Sequence, residues 1–177
     1  MSKARELHFS FQSSTLVLRQ FLLRKKTTIN EEIKEKKFSE EGLQKVYKYL
    51  QIVDAILKSE YFVGKNLNVR VGDLMTRLKR EDVDFNIEIK DLQKQKEEKE
   101  YQRNVCEGKK TEGGGYAIPS ESQEYFESLE RRSRELVFDI ERIQSDIKGY
   151  EYRLWLCRNL KGIIMRPEGF FSSIYKI

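Results

Sequence analysis

The chain holds one histidine and two cysteines, few of the residues that most often build metal or nucleophilic sites. His8 stands alone near the start, so neither a catalytic triad nor a histidine-containing metal cluster can be built around it. Cys106 and Cys157 are separated by a long stretch without neighbouring ligands, which does not meet zinc spacing. Gly113-Gly114-Gly115 follows Lys109-Lys110, but the order that makes a phosphate loop, G-x-x-x-x-G-K-[ST], is absent. The carboxylates lie on stretches of mixed charge, where they solvate a helix face rather than pair as acid and base. With no nucleophile, base and oxyanion donor converging, the chain is read as not an enzyme. No catalytic, cofactor-binding or metal residue is assigned. The two cysteines suit reduced thiols in a cytosolic or nuclear protein.

What the sequence does carry is rhythm. From Leu43 to Leu92, apolar residues recur at alternating steps of three and four: Leu43, Val46, Leu50, Val53, Leu57, then Leu67, Val71, Leu74, Leu78, Phe85 and Leu92. Glu60, Gly64, Glu81 and Glu88 are the interruptions. A second run, Phe126, Leu129, Ser133, Leu136, Ile140, Ile143, Ile147, Tyr150, Leu154 and Cys157, keeps the same step, with Ser133 its one clearly polar member. A period of 3.5 underwinds a helix slightly and holds one narrow apolar seam against a partner helix. The expected fold is therefore all-α, with long heptad-repeat helices forming a coiled coil, folded back antiparallel and assembled with partner chains. The nineteen leucine, isoleucine, valine, phenylalanine and tyrosine positions of the two runs are the candidate partner-binding residues.

Composition agrees with seams rather than a thick core. Charged residues make up 36% of the chain and mean hydropathy is −0.69, which leaves few apolar groups beyond the repeats. The two prolines, Pro119 and Pro167, lie outside both runs, as they must, since an interior proline costs a helix about 3 kcal/mol. The net charge of +5 is spread over mixed-sign stretches such as Lys79-Arg80-Glu81-Asp82. A nucleic-acid binder would show a one-sided basic stripe, and only Arg24-Lys25-Lys26 and Arg131-Arg132-Ser133-Arg134 approach one. Nucleic acid is therefore not an expected partner, nor is a small-molecule substrate. Leu16 to Leu23, broken by Arg19, is too short to span a membrane, and no signal peptide opens the chain. A soluble intracellular protein is expected.

Five segments follow from these patterns. Residues 1–12 read as a loose start, and 13–105 as a long coiled-coil segment with a break or stutter near 36–42. There Ser39-Glu40-Glu41-Gly42 could restart a helix with Ser39 as cap. An unbroken helix over 43–92 would run about 75 Å. Its weak point is Glu60 to Gly64, where a bend or a crossing helix would explain the off-seam aromatics Tyr61 and Phe62. Residues 106–119 read as a Gly/Pro linker, 120–158 as a second coiled-coil helix opened by a Ser120/Gln123 capping box, and 159–177 as an irregular apolar tail. Phe138, Tyr152 and Trp155 fall off the second seam, which widens its apolar face and favours a bundle of three or more helices.

The arrangement also resembles a known family. A long heptad helix, a proline-containing linker and a helix opening with Tyr125-Phe126, then Leu129, Leu136 and Ile140-Glu141-Arg142-Ile143-Gln144-Ser145-Asp146-Ile147, is similar to the coiled-coil region of the fifty-eight/forty-five-kilodalton nucleoporin family. The runs Asn30 to Ile33, Leu43 to Leu57 and Asn66 to Gln93 follow in similar order, so the likeness covers about residues 15–155. The resemblance implies a structural subunit of the nuclear pore central channel, joined with two other channel nucleoporins in a hetero-oligomeric coiled coil and supporting transport of protein and mRNA. Its expected location is then the nucleus, at the nuclear pore complex. The chain departs from that pattern in having no Phe-Gly dipeptide and in ending its heptads near Cys157.

Two other readings stay open on the residues alone. One is a self-contained helical hairpin acting as a stalk or adaptor of a secretion or motor ATPase, in the cytoplasm. The other is a basic coiled coil that binds nucleic acid or filaments through its two short basic clusters.

Overall fold

The computed structural model describes residues 9–112 and 120–175, with side chains at 110–112 and 120–122 left aside. The protein is all-α. Helix α1 spans Thr15–Lys34, α2 Glu40–Lys58, α3 Val71–Glu112, α4 Ser120–Met165 and α5 Pro167–Ser172. Two short 3-10 turns, Glu60–Phe62 and Gly64–Asn68, join α2 to α3.

The helix ends are written in local chemistry. Helix α1 stops at a Schellman turn, in which Lys37 N–H donates to the Glu32 carbonyl and Lys36 N–H to that of Ile33, both at 3.1 Å. Lys36 sits there at φ +56°, a left-handed conformation that usually falls to glycine. The break near 36–42 is therefore a true helix end and not a stutter. Helix α2 restarts as the sequence suggests: the Ser39 hydroxyl accepts from Gly42 N–H at 3.2 Å, with Glu40 and Glu41 in the first turn, where the helix dipole favours them.

The unbroken helix expected over 43–92 does not form. Ser59 turns its hydroxyl back onto the Ile56 carbonyl at 2.6 Å, and Gly64 takes φ +56°. Between them Tyr61 and Phe62 swing inward until each is 4% exposed. Burying two aromatic rings is worth several kcal/mol, more than the helical hydrogen bonds forgone over so short a stretch. Asn66 then braces the turn by donating to the Glu60 carbonyl at 2.6 Å.

The start of α3 is held by the N-terminal segment. Val71 N–H donates to the Ser13 carbonyl at 2.8 Å and Gly72 N–H to that of Phe11 at 3.0 Å, while Thr15 donates both N–H and Oγ1 to the Val69 carbonyl. These bonds satisfy N–H groups that the first turn of a helix otherwise leaves orphaned. Residues 9–12, expected to be loose, are thus tied down, and Phe9 packs edge-on against Phe21 at 5.0 Å. Residues 1–8, with His8, lie outside the described residues.

The chain divides into two compact units, residues 1–83 with 154–177, and residues 84–153. In the first, α1 contributes Leu18, Leu22 and Ile29, α2 Val46, Val53 and Ile56, and the start of α3 Val71 and Leu78. The end of α4 and the C-terminal segment complete this core with Leu160, Ile163, Phe171 and Ile174. Residues 159–175 are therefore no irregular tail. Helix α4 runs on to Met165, Pro167 opens α5 at a position where its missing N–H costs nothing, and Glu168 takes Lys25 in an ion pair at 3.0 Å.

In the second unit, residues of α3 and α4 pair in opposite order along the two helices. Phe85 meets Tyr150 at 5.9 Å between ring centres, Lys99 meets Asp139 at 3.3 Å, and Glu107 accepts a hydrogen bond from Ser133 at 2.5 Å. Helix α3 persists to Glu112, so 106–112, expected as linker, is helical. The Gly113–Gly115 and Pro119 part of that linker lies outside the described residues.

Candidate functional site

The candidate partner-binding residues are placed consistently, and none of them is exposed. In the first unit Val46, Val53, Val71, Leu74, Leu78 and Leu154 are buried, with Leu43, Leu50, Leu57 and Leu67 half-buried beside them. In the second, Phe85, Leu129, Leu136, Ile143 and Ile147 are buried, and Leu92, Phe126, Ile140 and Tyr150 are half-buried. The two runs are thus buried or partly covered by the chain's own packing.

Their phase needs one correction. Glu88 was placed on the first seam, but it is exposed, and Ile89, missed in the sequence, is the buried residue. Asp82, Phe85, Ile89, Leu92, Lys96 and Lys99 are covered positions that keep the three-four step; Phe85 and Leu92 belong to both repeats, and the alternate position moves by one residue, from Glu88 to Ile89. The change of phase falls within α3, after Leu78, since Val71, Leu74 and Leu78 beyond the interruption at 59–70 still follow the Leu43 run. Met75, Leu156, Leu160, Ile163 and Ile164 were also missed. Ile164 was legible in principle, since it falls one heptad beyond Cys157, whereas Leu156, Leu160 and Ile163 lie off that phase.

Polar groups gather in one place in the first unit. Tyr61 donates its hydroxyl to the Glu81 carboxylate, which also accepts from Arg77 Nε at 2.8 Å. The Arg77 guanidinium lies 4.8 Å from the centre of the Tyr61 ring and reaches Glu60 at 3.2 Å. One turn on, Asp82 takes Lys161 at 2.6 Å and Arg158 at 3.4 Å. Cys157, fully buried, donates its thiol to the Leu78 carbonyl at 3.0 Å.

The electrostatics follow from these partners. Burial, then the bond to Glu81, pushes the Tyr61 phenol up. The hydrogen bond from Lys161 holds the Asp82 carboxyl below its usual range, against some desolvation. Burial lifts the Cys157 thiol to about 11, so at neutral pH it is a protonated, inert hydrophobe rather than a nucleophile. Among the described residues no buried side-chain nitrogen or oxygen lacks a partner, and the cluster ties the 3-10 turn to α3 and α3 to α4.

A groove of about 460 Å³ in the first unit is lined by Phe9, Ser10, Ser13, Val17, Phe21, Arg24, Lys25 and Thr28. Arg24 and Lys25 are the charged side chains among those described lining residues. Among the described residues no group of three histidine, cysteine, aspartate or glutamate side chains is placed to hold a metal ion. None of the described helices is long and apolar enough to cross a membrane.

The two basic clusters are largely engaged. Lys25 pairs with Glu168 and Lys26 with Asp54 at 2.6 Å, while Arg132 reaches Glu135 at 3.5 Å and Arg134 reaches Glu130 at 3.8 Å. Neither cluster forms an uninterrupted cationic stripe. No protein-family model, curated protein or solved structure matches the chain.

Proposed function

We propose that this protein is a non-enzymatic structural adaptor, built on an antiparallel two-helix coiled coil (residues 84–153) whose seam closes within one chain. The observation that carries this reading is the coverage of all nineteen seam residues in a single copy. A subunit that needed two other chains to complete its coiled coil would leave part of that seam open. The reversed pairing of Phe85 with Tyr150, Lys99 with Asp139 and Glu107 with Ser133 supports the antiparallel hairpin. Such a module works by holding other proteins on its outer surfaces, as a stalk or adaptor of a larger machine, with no bound cofactor.

The test is the behaviour of the purified chain alone. It should be helical and melt cooperatively at a temperature independent of its concentration. A chain that is insoluble or weakly helical until other coiled-coil proteins are co-expressed would refute the reading.

A second reading keeps the nuclear pore as the setting, with the chain a scaffold subunit of the central channel that supports nucleocytoplasmic transport. It rests on the sequence resemblance, a proline-containing linker followed by a helix that carries Tyr125-Phe126, with more residues between Pro119 and Tyr125 than that family's pattern has. On that reading the outer faces, and not the seams, contact two other channel nucleoporins. Pull-down from native extract, with identification of the bound chains, separates the two settings.

A further inference from the structure

Of the three adjacent cations on α1, two are already matched by carboxylates. Lys25 pairs with Glu168 at 3.0 Å and Lys26 with Asp54 at 2.6 Å. The third, Arg24, is exposed and meets no carboxylate among the described residues. Its Nε makes one long contact, 3.4 Å, to the Gln20 carbonyl of its own helix. Arg24 stands toward one end of the groove of about 460 Å³ that runs between α1 and residues 9–13. The other end is apolar. Val17, 40% exposed, lies two helical turns before Arg24, with Phe21 between them and Phe9 edge-on against Phe21. Phe21 in turn packs on Phe171 of the first core, and Lys25 lies 5.6 and 5.7 Å from those two ring centres. The floor of the groove is thus fixed by the core beneath it.

We propose that this groove takes an acidic peptide segment of a partner protein, with an apolar side chain seated on Val17 and Phe21 and a carboxylate on Arg24. The proposal rests on the adaptor reading above and names the surface by which the first unit holds its partner. Charge sets the sign: an exposed guanidinium without a carboxylate accepts one in a two-pronged, charge-assisted hydrogen bond. Spacing sets the order. From midway between Val17 and Phe21 to Arg24 is about 7.5 Å along the helix. In an extended strand, side chains two residues apart share a face and lie about 6.8 Å from each other. The fitting segment therefore has one residue between its apolar and its acidic member. Other ligands match the groove less well. Ser10, Val17, Arg24 and Thr28, half of its lining, are exposed, which makes it an open trough. A small amphipathic acid would stay largely wet there, whereas pockets for such ligands cover roughly 70–90% of them. A peptide held at both ends by its own protein needs only one face covered. A flat bilayer does not enter a trough, and nucleic acid needs a row of cations.

The experiment uses the full chain, isotope-labelled for NMR, and a capped peptide carrying Phe-Ser-Glu between Gly-Ser flanks, alongside its reverse, Glu-Ser-Phe. One of the two should shift the amide signals of Val17, Phe21 and Arg24 saturably, and more weakly as salt is added. Replacing its Glu by Gln, or its Phe by Ser, should weaken binding about tenfold. Arg24→Glu should lose the acidic peptide and gain its counterpart with Lys in place of Glu, an exchange that mere damage to the fold would not produce. Absence of shifts at these residues with every peptide at millimolar concentration overturns the proposal, as does equal binding of the Glu and Gln peptides. Hexanoate binding as tightly as the peptide overturns it in favour of a small acid, and phosphatidylserine vesicles displacing the peptide overturn it in favour of a membrane. Helicity and mass are read on the same sample. A helical monomer that takes no peptide sinks the groove proposal alone, whereas a chain unfolded by itself sinks the adaptor reading with it.

Discussion

Ser133 donates its hydroxyl to the carboxylate of Glu107 at 2.5 Å, so the one clearly polar residue of the second seam is matched across to the other helix. Ser133 is 5% exposed, and a buried hydroxyl without a partner would cost about 1–3 kcal/mol. A polar residue at such a position also fixes register, because sliding the helices by one turn would strand it. Replacing it by Ser133→Asp would set two carboxylates side by side. The variant should lose about 1–3 kcal/mol at neutral pH in urea titration. Their repulsion raises both acid pKa values, so the loss should shrink as pH falls and the pair protonates. A loss that grows with acid would contradict the pairing.

Two left-handed residues make opposite predictions. Lys36 and Gly64 both sit at φ +56°, but only one of them is glycine. Lys36→Gly should raise stability by about 1 kcal/mol by removing the strain of a side chain at a Schellman turn. Gly64→Ala should lower it by a similar amount, and for conformational reasons only, since nothing lies within 4 Å of the added Cβ. Thermal melts of the two variants check both signs.

Gly72 is constrained by space rather than angle. A Cβ there would stand 3.1 Å from Phe11 Cβ and 3.2 Å from the Phe11 carbonyl oxygen. Gly72→Ala should therefore push the N-terminal segment off α3 and loosen the bonds at Val71 and Gly72. Faster hydrogen exchange at those two amides, with the α4 amides of residues 129–147 unchanged, is the expected readout.

Asp82 supplies a dependence on acid. Its folded pKa is depressed, chiefly by the hydrogen bond from Lys161, below an unfolded value of about 3.9. Its stabilisation is present above the unfolded pKa and lost as pH falls through the folded one. Asp82→Asn should flatten the acid limb of the stability curve. Cys157 acts at the other end. Its folded pKa, lifted to about 11, stands above that of a free thiol, so its contribution is present below the free value and lost as pH rises. In the native protein at pH 8, iodoacetamide should label the half-buried Cys106 well before the buried Cys157.

The second seam was legible in full because every residue from Phe126 to Cys157 sits on one helix and one phase. Ser39 was legible as a cap because its chemistry is local. The break at 59–70 was visible only as two oddities, Glu60 and Gly64. What decides it is the burial of Tyr61 and Phe62 by the core of the first unit, a tertiary gain that heptad arithmetic does not count. Ile89 was hidden by a change of phase within α3 after Leu78, and the ordered C-terminal segment by the same tertiary limit. Leu160, Ile163, Phe171 and Ile174 have no heptad, but they face α1, α2 and α3 in a core of many short contributions. The off-seam aromatics Phe138 and Tyr152 were read as widening a buried stripe, yet both are exposed.

The central claim is that the seams close within one chain. Leu136 and Leu160, each 0% exposed, test it through stability: Leu136→Ala and Leu160→Ala should each cost about 2–5 kcal/mol in the isolated chain, while the exposed Phe138→Ala should cost under about 0.5 kcal/mol. The most direct measurement is circular dichroism of the purified chain in dilute solution, with its mass taken by light scattering. The structure predicts a helical monomer whose melting temperature does not change on tenfold dilution. A largely unfolded chain that gains helix only when a partner coiled coil is added would contradict it.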